Sequence, residues 1–304
     1  MTENVIIIGS GPAGLSAAIY TAREGFNPLV ISGATEGGQL LLTTKVENYP
    51  GFPDGIDGPE LIDMMRKQAE QQGARFVHEN AADLVLSVRP FKVSAGNTVY
   101  ETQTLIIATG ADSMWLGIDS EKRFVGKGVS SCATCDGPFF KGKDVVVVGG
   151  GDTAMEDSLF LTKFANSVTV VHRRNEFRAS KIMQDKVLSN PKIKVIWDSA
   201  VEEILGNSKV NGVKIKNLKS GETHELKTDG LFVAIGHKPN ADILKGKLKL
   251  DERGYIVVKN AVETDIEGVF VGGDVADPIY RQAVTAAGTG TMCALKVREY
   301  LQNK

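Results

Sequence analysis

Two stretches of the chain, Asn4 to Ser32 (NVIIIGSGPAGLSAAIYTAREGFNPLVIS) and Asp144 to Arg174 (DVVVVGGGDTAMEDSLFLTKFANSVTVVHRR), follow one plan. Each runs from an apolar strand through a glycine turn into a helix with apolar i, i+3, i+4 spacing, and then into a second apolar strand, the opening of a βαβ unit. The first turn reads Gly9-Ser10-Gly11-Pro12-Ala13-Gly14 and the second Gly149-Gly150-Gly151-Asp152-Thr153-Ala154, so both satisfy G-x-G-x-x-G/A between strand and helix. In this pattern the first glycine permits the tight turn, the second lets backbone approach a pyrophosphate, and the third position lets helix and strand pack closely. The helix N-terminus then offers free N–H groups to an anion. One such turn can be purely structural, but two in full context predict an α/β fold with two Rossmann-like dinucleotide-binding domains.

A length of 304 residues accommodates two domains at about 150 residues each. Lys and Arg total 35 against 37 Asp and Glu, without long runs of one sign, so neither a nucleic-acid face nor an acidic tail is indicated. The apolar N-terminal run ends at Gly9 and has no basic segment before it, too short for a signal peptide or a membrane span, and a cytoplasmic protein is expected.

The second strands distinguish the two sites. The one ending at Val171 is followed by His172, Arg173 and Arg174, with Arg178 close behind, where an NAD-binding domain would carry an acid for the ribose 2′-hydroxyl. A basic cluster there suits a 2′-phosphate and hence NADPH, although a solvated basic turn would look the same. The strand ending at Ile31 is followed by SGATEGGQL, with neither acid nor basic cluster in place; Glu36 could supply a carboxylate late, or Gly37 and Gly38 could bring backbone close.

Each copy closes on a strand ending in a small residue and glycine, TLIIATGA with Thr109 and Gly110, and LFVAIGHKPN with Ile235 and Gly236. A third such segment, GVFVGGDVADPIYRQA, contains Gly273, Asp274, Arg281, Gln282 and Ala283. Asp274 suits a sugar-like hydroxyl or, more plainly, a helix cap. Its position predicts an interrupted first domain (1–114 and 242–304) with the second copy (115–241) inserted.

Near the middle, SSCATCDGPFF places Cys132 and Cys135 two residues apart and Asp136 directly after them. Three cysteines make a poor disulfide framework, and a zinc site needs four ligands, whereas Cys293 stands alone and the four histidines are scattered. A redox dithiol remains, and it requires an electron source. Asp136 is placed to handle the protons of thiol–disulfide exchange, or it merely forms an Asp-Gly turn with Gly137. Cys293 reads as a buried small hydrophobe.

Taken in order, GSGPAG, GGQL, VENYPGF, ATGA, CATCDG, GGGDTA, HRRNEFRA, VAIGHKPN and GGDVADPIYRQA resemble the low-molecular-weight thioredoxin reductases over essentially the whole chain. The resemblance implies FAD held by Gly9 to Gly14, Glu36 to Leu40 (with Gln39), Asn48, Asp274 and Arg281 to Ala283. It implies NADPH at Gly149 and Gly151 to Thr153, with His172, Arg173, Arg174 and Arg178 around the 2′-phosphate. It further implies that Cys135 lies next to the isoalloxazine, that Cys132 attacks the disulfide of thioredoxin or a thioredoxin-like protein, and that the NADPH domain rotates about crossings near Ala111–Gly117 and Lys238–Asp242. A homodimer is the family expectation. The rival readings are a reductase serving a peroxiredoxin system and a non-catalytic flavin redox sensor.

Overall fold

The computed structural model describes residues 2–34, 36–43 and 45–303. They pack as two units, one formed by Met1–Asp112 with Lys238–Lys304 and the other by Ser113–His237.

The first unit opens with β1 (Glu3–Ile8), α1 (Pro12–Arg23) and β2 (Leu29–Ile31), and continues through α2 (Gly58–Gln71) to β3 (Arg75–Val77), β4 (Ala81–Val85), β5 (Phe91–Ala95) and β6 (Thr98–Ile107). β1 lies at the centre, parallel to β2 on one side and to β6 on the other, with Ile8 opposite both Ile31 and Ile107. β6 changes partners along its length: Thr98 to Thr102 pair antiparallel with β5, and Thr102 to Ile107 pair with β1. The unbroken apolar run of β1 follows from burial on both faces, as a parallel strand under two layers requires. Ile6 and Ile8 face a core with Leu105, Ile107, Phe91 and Leu244, whereas Val5 and Ile7 face α1 and the C-terminal helix through Ala17, Ala18 and Val297.

The second unit contains β7 (Val129–Ser130), α3 (Ala133–Asp136), β8 (Asp144–Gly149), α4 (Asp152–Leu161), β9 (Ser167–Val171), α5 (Lys181–Leu188), β10 (Ile193–Ile196), β11 (Ser199–Gly206), β12 (Val210–Asn217), β13 (Thr223–Lys227) and β14 (Gly230–Ala234). Its parallel sheet has the order β7-β14-β8-β9-β10, and β11, β12 and β13 form a separate antiparallel sheet. Val145 and Val147 pack toward Ala154, Met155 and Leu161 of α4; Val146 faces Val201, Ile204, Val213 and Ile215 of the antiparallel sheet.

The chain then returns to the first unit as β15 (Val269–Val271), which extends the sheet beside β6, and α6 (Ala283–Gln302). The packed units divide at 112/113 and 237/238, a few residues from the 114/115 and 241/242 read from the strand pattern. Trp115 packs on the second core, Ala241 is buried in the first, and the Asn240 N–H donates to the Gly110 carbonyl at 2.9 Å. Among the described residues no helix is long and apolar enough to cross a membrane, and no group of three His, Cys, Asp or Glu side chains could hold a metal ion.

Candidate functional site

Within the first unit, the turn after β1 is closed by sterics. Gly9 has φ +113°, and a Cβ there would lie 2.1 Å from the Ala108 carbonyl oxygen; at Gly14 it would lie 1.9 Å from the Gly9 carbonyl oxygen. Gly11, the residue before α1, has nothing within 4 Å of its Cβ position, and no side chain caps the helix there. Turn and helix therefore pack tightly on the protein side and leave backbone N–H groups open on the other, the arrangement an anion needs. Pro12 occupies the first helical turn, where its missing N–H costs nothing, and Ala13 is buried against Ala108 and Ala286.

Ser10 ties this turn to the next loop: its hydroxyl donates to the Ser32 carbonyl at 2.9 Å and accepts from the Gly37 N–H at 3.1 Å. Gly37 and Gly38 have φ of +98° and +64°. Both alternatives for this loop are thus present, but the Glu36 carboxylate already has partners: it accepts from the Ser32 hydroxyl at 2.7 Å and pairs with Arg66 and His78. Gln39 donates to Asp112 at 2.8 Å, Leu40 packs on the Leu15 and Leu61 core, and Asn48 donates to the Gln282 side chain at 3.2 Å. Thr109 and Asn240 bond reciprocally, Thr109 Oγ1 to the Asn240 carbonyl at 2.7 Å and Asn240 Nδ2 to the Thr109 carbonyl at 3.1 Å, which fixes the Gly110 turn.

After β15, Gly273 (φ +80°) donates its N–H to Thr289 of α6 at 2.8 Å and turns the chain so that Asp274 follows it into the interior. Asp274 Oδ1 is buried and has no hydrogen-bond partner among the described residues. Burial and, secondarily, the neighbouring Asp277 push its carboxyl up to about 6, with Arg281 opposing. Asp277 itself accepts from the N–H groups of Ile279, Tyr280 and Arg281, holding Arg281 at positive φ ahead of Gln282, which caps α6, and Ala283, its first residue.

The second unit repeats the turn with different side chains. A Cβ at Gly149 would lie 2.4 Å from the Ala234 carbonyl oxygen, whereas at Gly151 nothing lies within 4 Å. Asp152 Oδ1 accepts from both the N–H and the hydroxyl of Ser180, at 2.9 and 2.8 Å, and these bonds hold its carboxyl below the usual range. Thr153 follows it in the first turn of α4, and Gly236, with φ +119°, comes directly after Ile235 beyond β14. Arg173, Arg174 and Arg178 are exposed and form no ion pair among the described residues. His172 differs from them. Its ring is buried against the Gly150 backbone, Phe177 and Trp197, with Nε2 2.9 Å from the Glu176 carbonyl oxygen; burial lowers its pKa.

Cys132 and Cys135 form a disulfide with a Cα–Cα distance of 5.3 Å, and both are half-buried at the start of α3. The Cys135 N–H donates to Cys132 Sγ at 3.2 Å, and the Asp136 N–H to the Cys132 carbonyl at 3.1 Å. Asp136 is half-buried; burial raises its pKa, and hydrogen bonding to the Ser130 hydroxyl partly opposes the rise. Ser130, overlooked in the sequence, also accepts the Cys132 N–H at 3.0 Å. Only its place two residues before the first cysteine could have drawn attention to it. Cys293 is buried in the core of the first unit, its thiol pKa raised by that burial.

Residues 3–290 match the model of the pyridine nucleotide-disulphide oxidoreductases. The chain is 53% identical to a thioredoxin reductase of Rickettsia prowazekii (strain Madrid E), covering 99% of both chains. The chain belongs to the low-molecular-weight thioredoxin reductases. It is also 52% identical to a Streptomyces clavuligerus thioredoxin reductase, over 98% of this chain and 94% of that one. Among solved structures, that of a Streptococcus pyogenes MGAS5005 thioredoxin reductase matches with a TM-score of 0.96 at 40% identity, over 100% and 99% of the two chains. A Giardia duodenalis thioredoxin reductase matches with 0.95 at 44%, over 99% and 100%. Enzymes of this family are NADPH-dependent flavoenzymes that use FAD, and this chain is one of them. Its residues fit both groups: the buried Asp274 oxygen without a partner among the described residues and the open Gly11 suit a ligand that brings hydroxyls and phosphates, and the open Gly151, in the same unit as three arginines that form no ion pair among the described residues, suits a phosphorylated nucleotide.

Proposed function

We propose that this chain is a thioredoxin-disulfide reductase that passes electrons from NADPH through FAD to Cys132–Cys135, and from the resulting dithiol to the disulfide of thioredoxin or a thioredoxin-like protein. One observation carries the reading: a C-x-x-C disulfide stands beside a half-buried acid in the unit that also carries the basic nucleotide loop. When bound, FAD supplies a two-electron carrier able to accept hydride from NADPH and reduce a disulfide.

In this reading Gly9 to Gly14, Glu36 to Leu40, Asn48, Thr109, Gly110, Gly273, Asp274 and Arg281 to Ala283 hold FAD. Gly149, Gly151 to Thr153, Ile235 and Gly236 hold the nucleotide, and Arg173, Arg174 and Arg178 face the 2′-phosphate. His172 serves that loop from within, since its buried ring supports the backbone. Reduction of the pair yields two thiols. Cys132 then attacks the partner disulfide as a thiolate, favoured by the hydrogen bond from the Cys135 N–H. A mixed disulfide forms, one partner sulfur leaves, and Cys135 displaces the second, so that the partner gains two electrons and the enzyme disulfide is restored. Asp136 keeps its proton to higher pH than an ordinary carboxyl and so can give it to a departing thiolate and take one back.

The dithiol must serve both a flavin and a protein substrate. We take the Ser113–His237 unit to rotate against the other between half-reactions, about the crossings Ala111–Gly117 and Lys238–Asp242. A crosslink that locks the units should stop turnover; unchanged turnover would remove the rotation. The working form in this reading is a cytoplasmic homodimer, which sedimentation at enzyme concentrations would check.

The deciding experiment is anaerobic. NADPH should bleach the flavin of the wild type, and oxidised thioredoxin should then restore its colour as thioredoxin thiols appear. With Cys135→Ser the bleaching should remain, and thioredoxin should stop at a mixed disulfide with one free thiol instead of reaching the dithiol. Bleaching of the wild type without transfer to thioredoxin would point to another disulfide partner.

A further inference from the structure

The loop carrying the three arginines is fastened to the second glycine turn at three points. The His172 ring packs where any side chain on Gly150 would have to go, since a Cβ there would lie 2.2 Å from it. The Arg178 N–H donates to the Gly150 carbonyl at 2.7 Å. Asp152 Oδ1 then takes both the N–H and the hydroxyl of Ser180, the residue that opens α5. Ser180 leaves its own helix without a side-chain cap, because its hydroxyl is turned to Asp152 instead.

A carboxylate in the first turn of a phosphate-binding helix is an unfavourable neighbour for a pyrophosphate, and this one turns one of its two oxygens, Oδ1, to the loop. Its backbone N–H remains part of the helix N-terminus. We infer that Asp152 acts through its side chain as a positioning residue for nucleotide selectivity, clamping the Arg173–Arg178 loop to the glycine turn through Ser180. This rests on the reading of the turn as an NADPH site. Guanidinium recognition of a 2′-phosphate depends on geometry that a loop released at one end would not keep.

The experiment is equilibrium binding of NADP⁺ and of NAD⁺ to the FAD-loaded, oxidised protein. The wild type should bind NADP⁺ the more tightly. Asp152→Ala should weaken NADP⁺ by about tenfold and NAD⁺ by no more than about twofold, since only the former uses the loop. Asp152→Asn, whose amide oxygen still accepts, should restore most of the selectivity, and Ser180→Ala, which keeps the N–H bond, should lose part of it. Equal weakening of both nucleotides, or tighter binding of both in Asp152→Ala, would overturn the inference, the first indicating a general structural role and the second direct repulsion of the pyrophosphate. Should Asp152→Ala fail to fold, an unchanged ratio in Ser180→Ala overturns it equally. A wild type with no preference for NADP⁺ would instead remove the nucleotide assignment beneath it.

Discussion

The backbone N–H of Cys135 points at Cys132 Sγ, 3.2 Å away, within the disulfide that the two cysteines share. In the reduced protein this bond favours the thiolate at Cys132. Cys132 in reduced Cys135→Ser, which keeps the backbone N–H, should therefore be alkylated by iodoacetamide faster at neutral pH than free cysteine. Alkylation followed by mass spectrometry measures the rate; a rate equal to that of free cysteine would remove the effect. Cys135→Ser should also trap thioredoxin in a mixed disulfide visible by mass spectrometry.

Asp136→Asn should slow thiol–disulfide exchange by about 10²- to 10⁴-fold, the range for loss of a general acid or base. In the wild type the proton is held to higher pH than usual, so an activity limb should fall as pH rises through that raised pKa, and the limb should vanish in the variant. Stability has a definite sign. A carboxyl with a raised folded pKa binds more protons folded than unfolded, so its contribution declines as pH rises from the unfolded value through the folded one. Asp136→Asn should accordingly match or exceed the wild type in denaturant stability at neutral pH.

Flavin affinity should depend on pH through Asp274, whose carboxyl sits at about 6 in the protein without ligand. A hydroxyl donated to the ionised carboxylate lowers that value, so binding releases a proton and affinity rises as pH passes upward through about 6. Asp274→Asn should bind FAD about 10- to 100-fold more weakly, as expected for a lost charge-assisted hydrogen bond, with a flat profile across that range. Flavin fluorescence titration at several pH values reads both effects.

Two glycines of one turn should fail in opposite ways. Gly149→Ala drives a methyl group to 2.4 Å from the Ala234 carbonyl oxygen and should destabilise its unit by about 2–4 kcal/mol. Gly151→Ala meets nothing within 4 Å and should leave thermal unfolding almost unchanged while lowering NADP⁺ affinity, because the methyl group occupies the space an anion needs. Thermal unfolding and nucleotide titration of the pair separate fold from function; loss of stability in both variants would refute the distinction.

Much of this site was legible because its logic is local. A glycine that must take φ +113° next to a neighbouring carbonyl can be read from strand, turn and helix, as can the pairing of two cysteines three positions apart. The interrupted order of the strands, with β15 returning beside β6, was visible in the spacing of the glycine-ended segments.

What stayed hidden depends on contacts between residues far apart in the chain. His172 looks like a fourth cation beside three arginines; only Trp197 and Phe177 folding over it make it a buried support. The sequence does not show that Arg66 and His78 are brought to the Glu36 carboxylate, or that Ser180, 28 positions away, takes Asp152 Oδ1. By itself the sequence determined the two βαβ turns, the basic loop and the C-x-x-C pair, because backbone sterics and spacing act within a few residues. Tertiary structure alone decided which of the polar side chains remain available, because a hydrogen bond already made inside the protein occupies the atom that a ligand would use.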